Sequence, residues 1–235
     1  MESRRSQKQR GQGRSRALAG VSDAAQDYLR EIYTLQAESE RVTTSALARR
    51  MGVTSPSASA MIKKLAALGF AEHALYRGVR LTPTGERIAL EVLRHHRLLE
   101  LYLAQALGIG IDAVHAEADR LEHALSEKLE RRIDEALGRP THDPHGDPIP
   151  NARLKIERPR TRPLTALEPG DEARVQSVPD GDGELLRYLV SLALVPGQMV
   201  TLLQAAPFGG PLTVRVDDRE TAISAELAAR IHVAA

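Results

Sequence analysis

Val42-Thr43-Thr44-Ser45-Ala46-Leu47-Ala48-Arg49-Arg50-Met51-Gly52-Val53-Thr54-Ser55-Pro56-Ser57-Ala58-Ser59-Ala60-Met61-Ile62-Lys63-Lys64-Leu65 is the stretch on which the fold turns. It reads as a short helix, a turn and a second helix. Gly52 supplies a residue able to take φ > 0 at the turn. Pro56 fits the first turn of the second helix, where a missing N–H leaves no bond unmade. Ala58, Met61, Ile62 and Leu65 recur at helical spacing and give that helix its buried side. Ser55, Ser57, Ser59, Ala60, Lys63 and Lys64 are left for its outer side.

Upstream, Ser22 caps a helix expected to run to about Ala37, with Tyr28, Leu29, Ile32 and Leu35 on one apolar face. Downstream, Gly69 ends the second helix, and Phe70 to Leu81 reads as a hairpin bending near Arg77-Gly78. Thr82, followed by Pro83 and Gly85-Glu86, caps a long helix from Pro83 to about Leu107. Gly108 and Gly110 break it, and a further helix is expected from about Asp112 to Leu137. Residues 138–168 carry six prolines and read as a linker or irregular strap. Beyond them, Ala173–Val178, Met199–Ala205, Leu212–Val216 and Thr221–Ile223 read as short strands, with one helix at Glu184–Ala193, forming a small open barrel. The class is α+β. The expected organisation is a basic disordered arm (1–20), a winged helix-turn-helix (21–82), an all-helical domain (83–150), a linker (151–168) and a C-terminal β-barrel domain (169–235).

Composition narrows the chemistry. Among 235 residues there is no Cys, which excludes disulfides, Cys-based zinc sites, iron–sulfur clusters and Cys nucleophiles. Two Phe, five Tyr and no Trp make a base-stacking platform for single strands a poor fit. There is neither an apolar run of membrane-spanning length nor a signal-peptide core, so a cytoplasmic protein without a membrane partner is expected. The net charge of +1 is uneven: residues 1–100 hold 17 Lys+Arg against 10 Asp+Glu. A basic front half points to nucleic acid, although a solvated tail alone would skew the count. In a winged helix-turn-helix the second helix, here Ser55–Ala67, enters the major groove of double-stranded DNA. Small side chains at Ser55, Pro56, Ser57, Ser59 and Ala60, with Thr44 on the first helix, would meet the duplex at close range. Lys63, Lys64 and the wing residues Arg77 and Arg80 would meet phosphate. The competing reading is a helical hairpin used for packing, its lysines facing water.

Six of the eight histidines lie between positions 95 and 145. His115, Asp119, Glu122 and His123 fall at roughly 0°, 40°, −20° and 80° around one helix, so all four share a face. His96 and Glu100 form an i,i+4 pair on the preceding helix, and antiparallel packing would bring the two sets together. Imidazoles and carboxylates converging inside a helical core are expensive unless a positive charge joins them. A divalent cation is the simplest occupant. A solvated face of ordinary i,i+4 pairs is the alternative. There is no His-Glu-x-x-His pattern and no nucleophile elbow, so no enzyme is expected.

Several motifs, taken in order and spacing, resemble the diphtheria-toxin-repressor family of iron- and manganese-dependent repressors across residues 22–235. They are Asp27-Tyr28-Leu29-Arg30-Glu31-Ile32-Tyr33, the helix-turn-helix, Leu81-Thr82-Pro83-Thr84-Gly85, His95-His96-Arg97-Leu98-Leu99-Glu100, the run His115 to His123, and Pro144-His145-Gly146-Asp147-Pro148-Ile149-Pro150. The resemblance implies a homodimeric, metal-activated repressor of metal-uptake genes that binds a palindromic operator, with dimer contacts from the helices after the wing and an SH3-like C-terminal domain. By position it implies a primary metal site of Asp27, Asp119, Glu122 and His123 and a neighbouring site of His96, Glu100 and His115, with Asp182 or Glu184 as a further donor. Iron-type members place Met and Cys where this chain has Asp27 and Asp119, and hard carboxylates suit Mn(II) better than sulfur does. Manganese is therefore expected, with Fe(II) the alternative. Arg30 departs from the pattern, since small manganese-type members carry a glutamate there. Asp143 and Asp147, with Arg97, occupy positions where some members organise an anion, and their charge is at odds with that role. A metal-independent winged-helix regulator, with the His–carboxylate face purely structural, is the rival.

Overall fold

The structure, a computed structural model, describes residues 18, 20–37, 39–74 and 77–235. The expected basic arm lies outside the described residues apart from Leu18 and Gly20. The described chain forms two compact units. One draws on residues up to His95 together with Glu122–Arg132 and Pro150–Lys155; the other comprises His96–Leu121, Ile133–Ile149 and Ile156–Ala235.

In the first unit, α1 (Asp23–Leu35), α2 (Thr44–Arg50) and α3 (Ser55–Ala67) precede a hairpin of β1 (Ala71–Ala74) and β2 (Gly78–Leu81). Thr43 Oγ1 accepts the Ala46 N–H and Thr54 Oγ1 the Ser57 N–H, so each helix of the motif starts on a threonine cap. Met51 and Gly52 form the turn, with Gly52 at φ +63°. Leu29, Ile32, Leu47, Ile62 and Leu65 are fully buried in one core with Val79 of the wing. Val42 pairs across to Val79, and Gly78 makes this approach feasible: it sits at φ +82°, and a Cβ there would lie 2.5 Å from the Val42 carbonyl oxygen.

Helix α4 (Pro83–Leu107) has the length read from its cap and its terminating glycines. Thr82 Oγ1 accepts the Gly85 N–H. The single helix expected from Asp112 to Leu137 is three pieces instead: α5 (Val114–Leu121), a 3-10 turn (Glu122–Ala124) and α6 (Glu127–Ala136). Ser126 is the physical cause of the restart, because its hydroxyl accepts the Leu129 N–H and opens α6.

In the second unit a six-stranded antiparallel sheet takes the order β3-β8-β4-β5-β6-β7. Its strands are β3 (Thr161–Pro163), β4 (Glu172–Ser177), β5 (Met199–Ala205), β6 (Leu212–Val216), β7 (Arg219–Ile223) and β8 (His232–Ala234). Helices α7 (Gly183–Ser191) and α8 (Ala225–Arg230) accompany it. Leu164, Leu186, Leu189, Leu194, Val200, Leu202 and Val214 form its core. Strand β3 falls within the stretch read as linker.

Candidate metal centre

Among the described residues three groups of ligand-type side chains are formed, one in the first unit and two, which meet at Glu100, in the second. In the first, α1 presents Asp27, and the 3-10 turn presents Glu122 and His123. One ligand atom from each lies within 4.8 Å of the others. His123 Nε2 is 2.8 Å from Asp27 Oδ1 and 3.4 Å from Glu122 Oε1. Hydrogen bonding to the Asp27 carboxylate, aided by the Glu122 charge, holds the His123 imidazole above its ordinary pKa against the burial that lowers it. On the other side of the ring, Nδ1 is 3.2 Å from Gln26 Oε1. Gln26 Nε2 in turn donates to the Val21 carbonyl, which fixes the amide with its oxygen toward the ring. The ring donates from Nδ1 to Gln26 and from Nε2 to the Asp27 carboxylate, and loss of the Nε2 proton would leave that nitrogen as a ligand beside the two carboxylates. Sequence reasoning missed Gln26; its place beside Asp27 on the first turns of α1 was the available signal.

A buried scaffold holds the turn. The Glu122 carbonyl lies 3.3 Å from His95 Nδ1. His95 Nε2 is 3.3 Å from Glu130 Oε2, and Arg94 Nε donates to Glu130 Oε1 at 2.6 Å. Arg94 Nη1 donates to the Pro150 carbonyl. Glu122 itself is 1% exposed, and its Oε2 accepts from Arg30 Nη1 at 2.6 Å.

In the second unit Glu100 is the hub. His96 Nε2 is 2.9 Å and His115 Nδ1 3.0 Å from its Oε1, and the two rings meet edge to face at 4.7 Å. Asp119 Oδ1 is 3.3 Å from His96 Nδ1. His145 Nδ1 lies 3.8 Å from Glu100 Oε1, an electrostatic contact longer than a hydrogen bond, and His145 Nε2 is 3.0 Å from the Ile111 carbonyl oxygen. Burial alone would raise Glu100, but the neighbouring imidazoles outweigh it and hold the carboxyl well below its ordinary range. Burial pulls His145 down, and the Glu100 carboxylate holds it at about 9. Asp143 is pushed up to about 8 by burial and the Glu100 charge, with Arg97 opposing. Its Oδ1 accepts the backbone N–H groups of His145 and Asp147. Gly146, at φ +88°, lets this loop press on β4, where a Cβ would collide with the Gln176 carbonyl.

The grouping differs from the one the resemblance implied. Asp119 belongs with His96 and His115, because α5 stops at Leu121 and the turn breaks the helical phase that aligned it with Glu122 and His123. His145 and Asp143 join Glu100 in a further triad; the stretch from Pro144 to Pro148 was the signal, and sequence separation hid the contact. Arg97 pairs with Asp143 and Asp147 at 3.3 Å each and donates to the Pro148 carbonyl. Asp182 is the N-cap of α7, accepting from the Glu184 and Leu185 N–H groups, and Glu184 is exposed in the first turn. Neither joins a ligand cluster among the described residues.

The donor sets fit a divalent cation. All of them offer carboxylate oxygen and imidazole nitrogen without sulfur, donors that suit first-row divalent metals. In the second unit the buried Glu100 Oε2 and His145 Nδ1 have no hydrogen-bond partner among the described residues, an arrangement a cation would satisfy.

On the helix-turn-helix, Ser55, Pro56, Ser57, Ala60, Lys63 and Lys64 are exposed, and Thr44 and Ser59 are partly buried. On the wing Arg77 is exposed, while Arg80 pairs with Glu72 at 2.8 Å and Glu40 at 3.6 Å.

A winged helix-turn-helix joined to paired carboxylate–imidazole clusters and a small antiparallel barrel defines a metal-responsive DNA-binding regulator. Comparison with known proteins places it more closely. Residues 21–79 match the iron-dependent repressor N-terminal DNA-binding domain, residues 82–151 the iron-dependent repressor metal binding and dimerisation domain, and residues 162–235 the FeoA domain. The iron-dependent repressor IdeR of Mycobacterium tuberculosis is 30% identical over 227 residues, covering 90% of this chain and 96% of the relative. A solved manganese-dependent transcriptional repressor in complex with manganese is 40% identical, with a TM-score of 0.84, over 90% of this chain and 99% of that one. IdeR of T. acidophilum is 30% identical, with a TM-score of 0.75, over 89% of this chain and 96% of that one. The chain belongs to the iron-dependent repressor family of homodimeric, DNA-binding, metal-dependent transcriptional repressors. Among the described residues no helix is long and apolar enough to cross a membrane.

Proposed function

We propose that this repressor is activated by Mn(II) in the cytoplasm and silences metal-uptake genes. The observation that carries the reading is the convergence of Asp27, Glu122 and His123, two hard carboxylates and an imidazole with no sulfur among them. The ion supplies the positive centre around which two carboxylates can meet. Asp27 then ties α1, part of the helix-turn-helix core, to the turn that carries Glu122 and His123. His96, Glu100, His115 and Asp119, with His145 close by, make the second cation site. In the metal-bound dimer the two α3 helices enter successive major-groove half-sites. Ser55, Pro56, Ser57, Ser59 and Ala60 face base edges. Thr44, Lys63, Lys64 and Arg77 hold phosphate, and Arg80, already paired, contributes less.

Metal and DNA are linked because the ion binds the DNA-competent state better. Fluorescence anisotropy with an operator duplex selected from genomic fragments tests this. Mn(II) should raise affinity, chelator should abolish the gain, and Asp27→Ala should make the protein unresponsive. Full affinity in chelator would contradict the reading. A second reading, Fe(II) as the physiological ion, is favoured by the iron-dependent relatives. Anaerobic titration of both ions at matched free concentrations decides between them: half-activation at lower Mn(II) than Fe(II) supports manganese.

A further inference from the structure

One helical turn after Asp27, Arg30 is only 8% exposed and reaches the most buried carboxylate of the first cluster. Its Nη1 donates to Glu122 Oε2 at 2.6 Å. A guanidinium cannot lose its charge in a protein and binds no cation. It already supplies Glu122 with the positive partner that a buried carboxylate needs. A divalent ion held by Asp27, Glu122 and His123 demands that same carboxylate, and two cations crowded on it repel in a place that water screens poorly.

Arg30 also has somewhere to turn. Its Nε is 3.4 Å from Glu31 Oε1. Glu31 Oε2 accepts from Arg50 Nε at 2.7 Å, and Arg50 is the last residue of α2. A line of alternating charge thus runs from Glu122 through Arg30 and Glu31 to the first helix of the DNA-reading motif.

We propose that Arg30 is a resident cation of this centre. It competes with the divalent ion for Glu122 and so sets the ion concentration at which the repressor switches. When the ion takes Glu122, Arg30 turns to Glu31, and the altered Glu31–Arg50 pairing carries the exchange to α2. This rests on the reading that Asp27, Glu122 and His123 hold the ion.

The test is Mn(II) titration of the full chain by isothermal calorimetry, in a parent carrying His96→Ala and His115→Ala so that the second cluster is disabled. Arg30→Gln should bind Mn(II) about tenfold more tightly, the effect of losing one charge-assisted hydrogen bond. Arg30→Lys, which keeps the charge but loses the fork, should fall between Gln and the parent, and it decides the matter alone if Gln impairs folding. A purely structural Arg30 would make both variants weaker. Glu31→Gln, which removes the alternative partner, should weaken binding severalfold, and that effect should vanish when Arg30 is already Gln. Unchanged or weakened binding in both Arg30 variants overturns the competition, while loss of binding in a parallel Asp27→Ala leaves the metal site standing. If Asp27→Ala binds as the parent does, the site itself falls and the proposal with it. A Glu31→Gln effect that persists without Arg30 overturns the relay to α2.

Discussion

The two clusters neutralise a buried glutamate in opposite ways. Glu122 leans on a guanidinium, whose charge is permanent. Glu100 leans on the imidazoles of His96 and His115, with His145 nearby. An imidazole can give up a proton and become a ligand through the same nitrogen; a guanidinium can only leave. The glutamate of the second cluster is therefore balanced by groups that convert in place, and Glu122 by one that must exchange partners, although His123 beside it can convert as well. On the proposed reading the first is then the switch, because exchange would move a side chain whose other contacts reach the DNA-binding motif, and the second the anchor, because its donors would keep their positions.

Each half of this contrast can be broken separately. The largest effect is expected from Asp27→Ala, which should remove the whole metal-induced gain in operator affinity, about 5–150-fold for couplings of this kind, measured by anisotropy with and without Mn(II). Glu100→Gln should reverse the emphasis. Metal-free stability should drop by about 1–3 kcal/mol as the hub of charged hydrogen bonds is lost, read from urea unfolding, while a metal response persists through Asp27. If Glu100→Gln instead abolished the response and Asp27→Ala spared it, the roles assigned to the two clusters would be exchanged. Gln26→Ala releases the far side of the His123 ring and should weaken Mn(II) binding about tenfold, within the range seen when an outer hydrogen-bond partner of a ligand is removed. Calorimetry in the background with the second cluster disabled measures this. The smallest effect belongs to Asp182→Ala: a helix cap worth about 1 kcal/mol is lost, with Mn(II) affinity unchanged by the same calorimetry. A fall in that affinity would return Asp182 to the ligand set.

What could be read from the sequence followed physical range. Features decided within a few residues were legible: the Gly52 turn, the start of α4 at Thr82, and strands β5 and β6, whose bounds match the expected ones. Strands β3 and β8 were not, because each has three residues and gains its identity from pairing across the chain, Thr161 with Ala234 and Pro163 with His232. The candidate ligands were legible as types and positions, yet their grouping was not. Extending one helix past Leu121 put Asp119 in phase with Glu122 and His123, which lie in a 3-10 turn instead. Arg30 stood out as a departure from the manganese-type pattern, but its pairing with Glu122 depends on a contact 92 positions away along the chain, which no local pattern encodes.

The most direct measurement is anomalous diffraction from crystals of the protein grown with manganese chloride, with data collected on both sides of the manganese edge. A manganese peak bonded to Asp27, Glu122 and His123, with the Arg30 guanidinium withdrawn from Glu122, is the predicted result. An intact Arg30–Glu122 pair with no manganese signal between Asp27 and His123, in crystals whose second cluster is loaded, would contradict it.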